Sequence, residues 1–268
     1  MPYLRLFVLA AFLLLIPGCS NQPPQAEEDS RMAQDINDLF VGLRENTTRL
    51  AHKASTFFNT IDSIEGGLHP PGRYVFYEGT VYYTPVDDGG CNVWASGATP
   101  VDEELKSKIS KMEHLDQHIK ATAQSSEYIT QSYILTGESL AFVYPFYDSV
   151  AVLPPGLDFS NSIMPFYLVD PEHNPDRSPT WVEPYIDATG KGYIITISCP
   201  IYSDKGFEGS AGSDIAILPI SRNFLEPRSE AWFMVTRNTL LVAVNKPCEE
   251  LLSIEGLGEY YYLEGVQE

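Results

Sequence analysis

Residues 181–218 constrain the fold most, because they predict three consecutive strands joined by two tight turns. Apolar and polar side chains alternate with the two-residue period of a strand that buries one face. Glycines at the two junctions allow the chain to turn sharply. The strands are predicted at residues 181–187, 193–202 and 207–218. Consecutive strands with short connections pair antiparallel, so the chain is predicted to contain an antiparallel sheet.

Polar side chains of the first and third strands are the candidates for a binding site. In the first strand, the alternation places Trp181, Tyr185 and Asp187 on one face. In the third strand, Asp214 is the only large polar side chain among small neighbours on its face. The space above Asp214 is therefore predicted to be open.

Three segments of this stretch resemble a known family. They are Pro184-Tyr-Ile-Asp187, Ile197-Ser-Cys-Pro-Ile-Tyr202 and Gly206-Phe-Glu-Gly-Ser-Ala-Gly-Ser-Asp-Ile215. Their letters and their strand-turn-strand order resemble the Cache domains, the extracytoplasmic PAS-like sensor modules of bacterial chemoreceptors and kinases. The resemblance covers about residues 30–225. It implies an α+β fold, in which a long N-terminal helix precedes a PAS-like antiparallel sheet with flanking helices.

The resemblance also implies roles for single residues. In the amino-acid-sensing branch of the family, an Arg and a Trp hold the ligand carboxylate, while a Tyr and an Asp hold its ammonium. By motif position, Tyr185 matches that Tyr and Asp214 matches that Asp. The Arg-x-Trp-Tyr motif of that branch is absent, and Arg177 instead lies four residues before Trp181. Amines, amino acids, carboxylates and other small polar molecules therefore stay open as ligands.

Each candidate side chain also has a purely structural alternative. Asp187 is followed three residues later by Gly190, a pattern typical of a turn closed by a side-chain-to-backbone hydrogen bond. Asp214 could cap a neighbouring loop, Tyr185 could belong to the core, and Arg177 could form a surface ion pair. The residues predicted to bind the ligand are Asp214, Tyr185, Trp181, Asp187, Arg177 and Tyr167, with Tyr133 and Tyr144 as further candidates for a pocket wall.

The first 18 residues predict a secretion signal. Arg5 precedes an apolar run from Leu6 to Ile16, and Ile16-Pro-Gly-Cys19 resembles a bacterial lipobox. We expect Cys19 to be acylated, so that a tether over residues 19–30 anchors the chain at the membrane of the cell envelope. Ser20 after the anchor favours the outer membrane and a periplasm-facing domain. A cleaved signal with a chance cysteine and a short membrane anchor are the alternatives.

Charge and cysteine content narrow the class of protein. The formal net charge is −19, so clustered cations that could neutralise phosphates are lacking and nucleic-acid binding is excluded. After Cys19, three cysteines remain, namely Cys91, Cys199 and Cys248. In an oxidising compartment this odd number allows at most one disulfide, and the spacing does not select the pair.

A helix is predicted over residues 31–64, with Ser30 as its N-cap. Apolar positions recur at alternating steps of four and three residues, which is the spacing of a heptad seam. The seam packs either against the chain's own domain or against the same helix of a second chain, which would give a homodimer through helix 31–64. The seam positions are Ile36, Phe40, Leu43, Thr47, Leu50, Ala54, Phe57 and Ile61.

The remaining segments complete the predicted domain, residues 31–225. Thr99 is predicted to cap a second helix that runs to about Gln124. The irregular segment 153–179 is predicted to cover the sheet and the ligand. Residues 226–268 are interpreted as the remnant of a second module packed on the first. Further strands are predicted within 73–85 and at 91–96, 127–135, 140–147, 231–235 and 240–244, the last two joined by a turn at Arg237–Asn238.

The sequence predicts a binding protein without catalytic residues, cofactor or metal site. Residues 206–212 have glycines near a serine, but Glu208 stands where a nucleophile elbow requires glycine. His114 and His118 lie one helical turn apart without a third ligand signature. We predict an anchored sensor that passes ligand binding to a membrane receptor or kinase. The alternative is a structural or partner-binding envelope lipoprotein that has the fold but no ligand.

Overall fold

Helix α1 covers Pro23–Thr60 and lies along one face of an antiparallel sheet. The computed structural model describes residues 23–161, 164–236 and 241–252. The predicted secretion signal and Cys19 lie outside this range. The predicted α+β class, a long helix followed by an antiparallel sheet with flanking helices, is confirmed. Among the described residues, no helix is both long and apolar enough to cross a bilayer.

Eight strands of the described chain form the main sheet, and all neighbouring strands are antiparallel. Their order is β1-β2-β3-β5-β4-β8-β7-β6, so β8 lies between β4 and β7. The predicted strands of residues 127–147 and 181–218 are present. The strands are β1 Val75–Tyr77, β2 Val81–Tyr83, β3 Asn92–Ala95, β4 Ile129–Thr136, β5 Leu140–Tyr144, β6 Thr180–Ile186, β7 Tyr193–Ser203 and β8 Gly206–Ala216.

The helices after α1 are short. Single 3-10 turns follow α1 and separate α2 from α3, and another, Tyr167–Val169, precedes β6; a π-helical turn, Ser221–Leu225, follows α5. The helices are α2 Glu103–Met112, α3 Asp116–Ala123, α4 Ser149–Val152, α5 Ile217–Ile220 and α6 Lys246–Leu252.

The second predicted helix begins later than expected and is broken. Asp102, not Thr99, is its N-cap, because the Asp102 carboxylate accepts a hydrogen bond from the Leu105 backbone N–H at 2.9 Å. The interruption between α2 and α3 is a 3-10 turn centred on His114.

Two predictions about helix α1, its N-cap and its role in a homodimer, differ from the structure. Ser30 lies inside the helix, which begins at Pro23, because prolines are favourable in a first turn and the following residues are good helix formers. The seam is buried against the chain's own sheet: Ile36, Leu43 and Leu50 are at most 1% exposed. The prediction of a homodimer through helix 31–64 at these positions is therefore wrong, because the sheet covers the seam.

The two faces of the main sheet are covered by different parts of the chain. The helix face, covered by α1, carries the apolar side chains of β7, such as Ile195 and Ile197. The opposite face, which we term the covered face, lies beneath residues 145–161 and 164–179, which we term the covering segment. Phe159 and Phe166 of this segment pack there against Trp94, Tyr133 and neighbouring apolar side chains. Register determines the face of each strand residue.

Residues 226–236 and 241–252 add a small unit to the same core. Strands β9 Phe233–Val235 and β10 Leu241–Val244 pair antiparallel, as predicted, while the predicted turn at Arg237–Asn238 lies outside the described residues. Asn245 connects the unit to the preceding π-helical turn, because its amide donates to the carbonyl oxygen of Leu225; it also donates to that of Glu230 within the unit. The cysteines Cys91, Cys199 and Cys248 are all free and buried.

Candidate functional site

Asp214 lies in the middle of the main sheet, on the covered face of β8. Its register partners are Gln131 on β4 and Thr196 on β7, whose side chains share that face. The strand β8 is flanked on both sides, and Asp214 is 2% exposed. The carboxylate is therefore removed from bulk water and depends on its neighbours for hydrogen bonds.

Three side chains donate hydrogen bonds to the Asp214 carboxylate. Thr196 Oγ1 donates to Oδ1 at 2.5 Å, and the Tyr133 hydroxyl donates to the same oxygen at 3.1 Å. Gln131 Nε2 donates to Oδ2 at 2.5 Å. Burial raises the pKa of Asp214 to about 6; the three hydrogen bonds oppose this rise and the negative charge of Asp187 adds to it.

The space above Asp214 is not open in the way the sequence predicted. The ring of Tyr133 lies across Gly212, so close that a side chain at position 212 would collide with it. The prediction considered β8 alone, whereas the neighbouring strand β4 brings a large side chain over the small residues. The covered face at Asp214 is thus partly filled by the protein.

Asp214, Gln131, Tyr133 and Thr196 form a group that we term the Asp214 cluster. Tyr185 belongs to this cluster, as predicted. Its hydroxyl and Thr196 Oγ1 are 2.8 Å apart, and Thr196 in turn donates to Asp214. Burial raises the pKa of Tyr185, and the charge of Asp214 contributes. Tyr147 of the covering segment is buried, and its burial followed by the charges of Asp187 and Asp214 raises its pKa. The hydroxyls of Tyr133 and Tyr185 therefore both belong to the hydrogen-bond network of the buried acid.

Trp181 does not share the face of Tyr185 and Asp214. It pairs with Ile197, and its ring makes an edge contact with Phe40 of α1 at 5.3 Å, on the helix face. The register of β6 shifts between residues 182 and 185, where a β-bulge adds one residue. The bulge reverses the alternation, so the predicted common face is wrong for Trp181.

Arg177 and Tyr167 make their ring contacts with residues outside the Asp214 cluster. The Arg177 guanidinium stacks on the ring of Tyr202, 4.1 Å from its centre. Tyr202 is six residues along β7 from Thr196, which corresponds to about 20 Å. Tyr167 packs against His173, with 3.7 Å between the ring centres. The contacts of these two residues are thus made elsewhere on the chain.

Asp187 closes the turn between β6 and β7. Its carboxylate accepts hydrogen bonds from the backbone N–H groups of Thr189 and Lys191 at 3.1 and 3.0 Å, and from the Thr189 hydroxyl. The turn alternative for Asp187 is thereby confirmed. Its charge still raises the pKa of Asp214, so the two carboxylates are electrostatic neighbours.

Buried polar atoms without a hydrogen-bond partner collect on the covered face. In the described strands of the main sheet, four side-chain atoms have no partner, and register places all four on this face. A further one, Ser149 Oγ, lies in the covering segment. Such atoms need an explanation by ordered water or a ligand. The four strand atoms are Asn92 Oδ1, Trp94 Nε1, Gln131 Oε1 and Ser210 Oγ.

Sequence reasoning missed Gln131, Thr196 and Tyr147. Gln131 and Thr196 belong to the cluster through cross-strand register, and Tyr147 through the path of the covering segment. The sequence did contain a signal for Thr196: it alternates with apolar residues in the second predicted strand, so it lies on the more polar face of that strand. Among the described residues, no group of three or more His, Cys, Asp or Glu side chains is placed to hold a metal ion.

Comparison with known proteins gives structural neighbours only. No protein-family model matches the chain, and no curated protein sequence matches it. A ligand-binding domain of the Pseudomonas aeruginosa PAO1 amino acid chemoreceptor PctC, solved with GABA, is 14% identical; the match covers 82% of this chain and 72% of that one, with a TM-score of 0.47. The Campylobacter jejuni chemoreceptor Tlp3 domain with L-norvaline is 14% identical, over 89% and 79%, with a TM-score of 0.41.

A third neighbour is the ligand-binding domain of the Pseudomonas fluorescens chemoreceptor CtaA in complex with L-serine. It is 20% identical, and the match covers 53% of this chain with a TM-score of 0.37. The chain spans just over half of that domain, 55% of its length. All three TM-scores are below 0.5.

Proposed function

We propose that this chain is an extracytoplasmic sensor module that binds a small amine, as its ammonium ion, at Asp214 on the covered face. The observation that supports this most is the pairing of a buried carboxylate with a buried acceptor that lacks a donor. Gln131 Nε2 is engaged by Asp214, while Gln131 Oε1 has no partner among the described residues. An ammonium group brings several N–H donors and a positive charge, so it satisfies both.

The electrostatics of the cluster favour a cation. At pH 7 Asp214 is above its pKa of about 6 and ionised, although it is buried and its three donors are neutral. A buried charge without a charged partner is unfavourable, and a ligand cation would supply that partner. The rings of Tyr185 and Tyr147 would add cation–π attraction. A purely anionic ligand would instead meet the repulsion of Asp214 and Asp187.

A thermal-shift screen tests this proposal. The panel should include GABA, L-serine, L-norvaline and simple alkylamines, with carboxylates that lack an amine as negative controls. At a hundredfold excess over its dissociation constant, a true ligand stabilises the chain by about 2.7 kcal/mol. Asp214→Asn should abolish this response, while the exposed control Asp204→Asn should retain it. An amine response that survives Asp214→Asn would rule out the proposed site.

The proposal also includes anchoring at a membrane and relay of the signal. Acylated Cys19 would hold the domain in the cell envelope, facing the periplasm and most readily at the outer membrane, with residues 226–268 as the remnant of a second module. A membrane receptor or kinase would receive the signal. Metabolic labelling with a palmitate analogue should mark the wild-type chain and not Cys19→Ser. Labelling of both chains, or of neither, would contradict anchoring at Cys19.

A second candidate function is supported by one specific observation. Asp214 already accepts three hydrogen bonds from its own chain, and Tyr133 fills space above the strand. A protein that kept the fold and lost its ligand would have such a self-satisfied cluster. In that case the chain would be a structural or partner-binding envelope lipoprotein. The absence of any stabilising compound from the screen, together with capture of a partner by the anchored chain, would favour this function.

A further inference from the structure

Unpartnered polar atoms on the covered face extend well beyond Asp214. Gln131 Oε1 belongs to β4, whereas Asn92 Oδ1 and Trp94 Nε1 belong to β3. Strand β5 separates β3 from β4, which gives about 10 Å across the sheet. By register Asn92 is level with Tyr133 and Trp94 with Leu135, two and four residues along from Gln131, so the full separations are about 12 and about 17 Å. Asn92 and Trp94 are at most 1% exposed, so bulk water does not reach them. A molecule that contacts both ends is longer than a single amino acid.

The two atoms on β3 form a complementary pair. The Asn92 amide nitrogen donates to the Tyr147 carbonyl oxygen at 3.0 Å, which fixes the amide so that Oδ1 is the free atom, an acceptor. Trp94 Nε1 can only donate. The two residues are two apart on one strand and face, so their side chains emerge about 7 Å apart. The pair therefore offers one acceptor and one donor in a row.

A secondary amide is the group that matches this pair. Its N–H and C=O point in opposite directions from one planar unit, so the N–H can reach Asn92 Oδ1 while the C=O accepts from Trp94. A carboxylate has no donor for Asn92, and an ammonium has no acceptor for Trp94. A hydroxyl is too small to span both.

We propose that Asn92 and Trp94 form a second subsite that binds a peptide group, and that the ligand is a short peptide with a free amino terminus. The inference rests on the proposed function: the peptide's ammonium binds at Asp214 and Gln131, and a peptide group about 12–17 Å away binds at Asn92 and Trp94. An extended peptide covers this distance in about four to five residues. The sheet face thus selects peptides over simple amines.

The covering segment must move for such a ligand to bind. The Phe159 ring packs on Trp94 with 5.9 Å between the ring centres, and the Phe159 backbone N–H donates to Ser139 Oγ at 3.2 Å. A peptide seated on Trp94 replaces the Phe159 ring. Ordered water is the competing partner for the unpartnered atoms, and water alone would give the chain no preference for an amide.

Calorimetry with two probes tests the inference on the full chain. The probes are tetra-alanine amide and n-heptylamine, which share an ammonium, but only the first has peptide groups. We expect the wild-type chain to bind tetra-alanine amide at least tenfold more tightly. Trp94→Phe keeps an aromatic ring and removes the donor, so it should reduce tetra-alanine amide affinity to that of n-heptylamine and leave n-heptylamine binding unchanged.

The outcomes separate the two proposals. Equal affinity for both probes, or an equal loss of both in Trp94→Phe, would overturn the peptide subsite while the amine site stands. Binding of neither probe would overturn both. A second readout uses the wild-type chain and therefore needs no folded variant. In ¹H–¹⁵N spectra, tetra-alanine amide should shift the Trp94 indole N–H signal downfield, and n-heptylamine should not. The buried Trp232 indole N–H, which also lacks a partner and lies in the C-terminal unit, is the internal control.

Discussion

The two faces of the main sheet differ in how their polar groups are satisfied. On the helix face, the hydroxyls of Ser132 and Ser213 are 2.9 Å apart, and Thr47 of α1 donates to Ser213 at 2.8 Å. On the covered face, Asp214 needs three donors and Gln131 Oε1 still lacks one. The same strands thus present an apolar, internally satisfied surface on one side and an incompletely satisfied polar surface on the other.

From this difference we infer that the helix face contributes mainly to stability, while the covered face carries the proposed binding site. The helix face buries apolar area and closes its few polar groups within the chain, which is what a folding core requires. The covered face retains a buried charge and unpartnered atoms, which lower stability unless something else binds them. The predictions below test this separation, from the largest effect on stability to the smallest effect on binding.

A cavity on the helix face should have the largest effect. Leu50 is 1% exposed and belongs to the core between α1 and the sheet. Leu50→Ala should lower the free energy of unfolding by about 2–5 kcal/mol, because buried apolar area is lost and a cavity remains. Urea unfolding measures the change. The exposed control Lys53→Ala should change it by less than about 0.5 kcal/mol, and a comparable loss in both would contradict the assignment of the core.

The charge on the covered face should make stability depend on pH. The pKa of Asp214 is about 6 in the folded chain and near its ordinary value of 3.8 in the unfolded chain. The folded state therefore holds its proton more tightly, so the Asp214 contribution to stability falls as the pH rises from about 4 to 7. Relative to Asp214→Asn, the wild-type chain should lose about 2 kcal/mol over this range. Urea unfolding of both chains at pH 4 and pH 7 measures it; a constant difference would refute the raised pKa.

Removal of one helix-face hydroxyl should have a smaller effect. Thr47→Val deletes the donor to Ser213, but Ser213 keeps Ser132 as a partner. We expect a loss of about 1 kcal/mol, measured by urea unfolding, because one net hydrogen bond disappears. The response to an amine should not change. A strong loss of amine binding in Thr47→Val would break the separation between the two faces.

Trp181 should have no direct effect on binding, because its ring packs on Phe40 on the helix face. Trp181→Phe keeps an aromatic ring in that contact. We expect calorimetric affinity for an amine ligand to stay within about twofold of the wild type, equivalent to about 0.4 kcal/mol. The comparison variant Tyr185→Phe, on the covered face, should weaken it more, because the hydroxyl beside Thr196 is lost.

The sequence allowed the strands to be predicted better than the site. The strands of residues 181–218 alternate regularly and were located within a few residues, because a half-buried strand imposes its period on the sequence. The bulge in β6 leaves no periodic signal, so the face of Trp181 was predicted wrongly. Tyr133 and Gln131 reach Asp214 only because β4 is next to β8, and strand order cannot be derived from the alternation within one strand.

For the predicted helix 31–64, the sequence likewise indicated the element but not its packing partner. Its apolar positions were found from their spacing, but spacing alone does not say whether a seam meets the chain's own sheet or a second chain. The structure answers this through burial of Ile36, Leu43 and Leu50 by the sheet. Local patterns therefore predicted the elements, while their partners required the tertiary structure.

The most direct test of the amine site is a ¹³C titration of the Asp214 carboxyl group, with and without a saturating amine from the screen. The free chain should titrate near pH 6 at this carboxyl. A bound ammonium stabilises the ionised form, so the pKa of Asp214 should fall clearly in the complex. A pKa that is the same in the free and the ligand-saturated chain would contradict the account, because the ligand cation would then lie elsewhere.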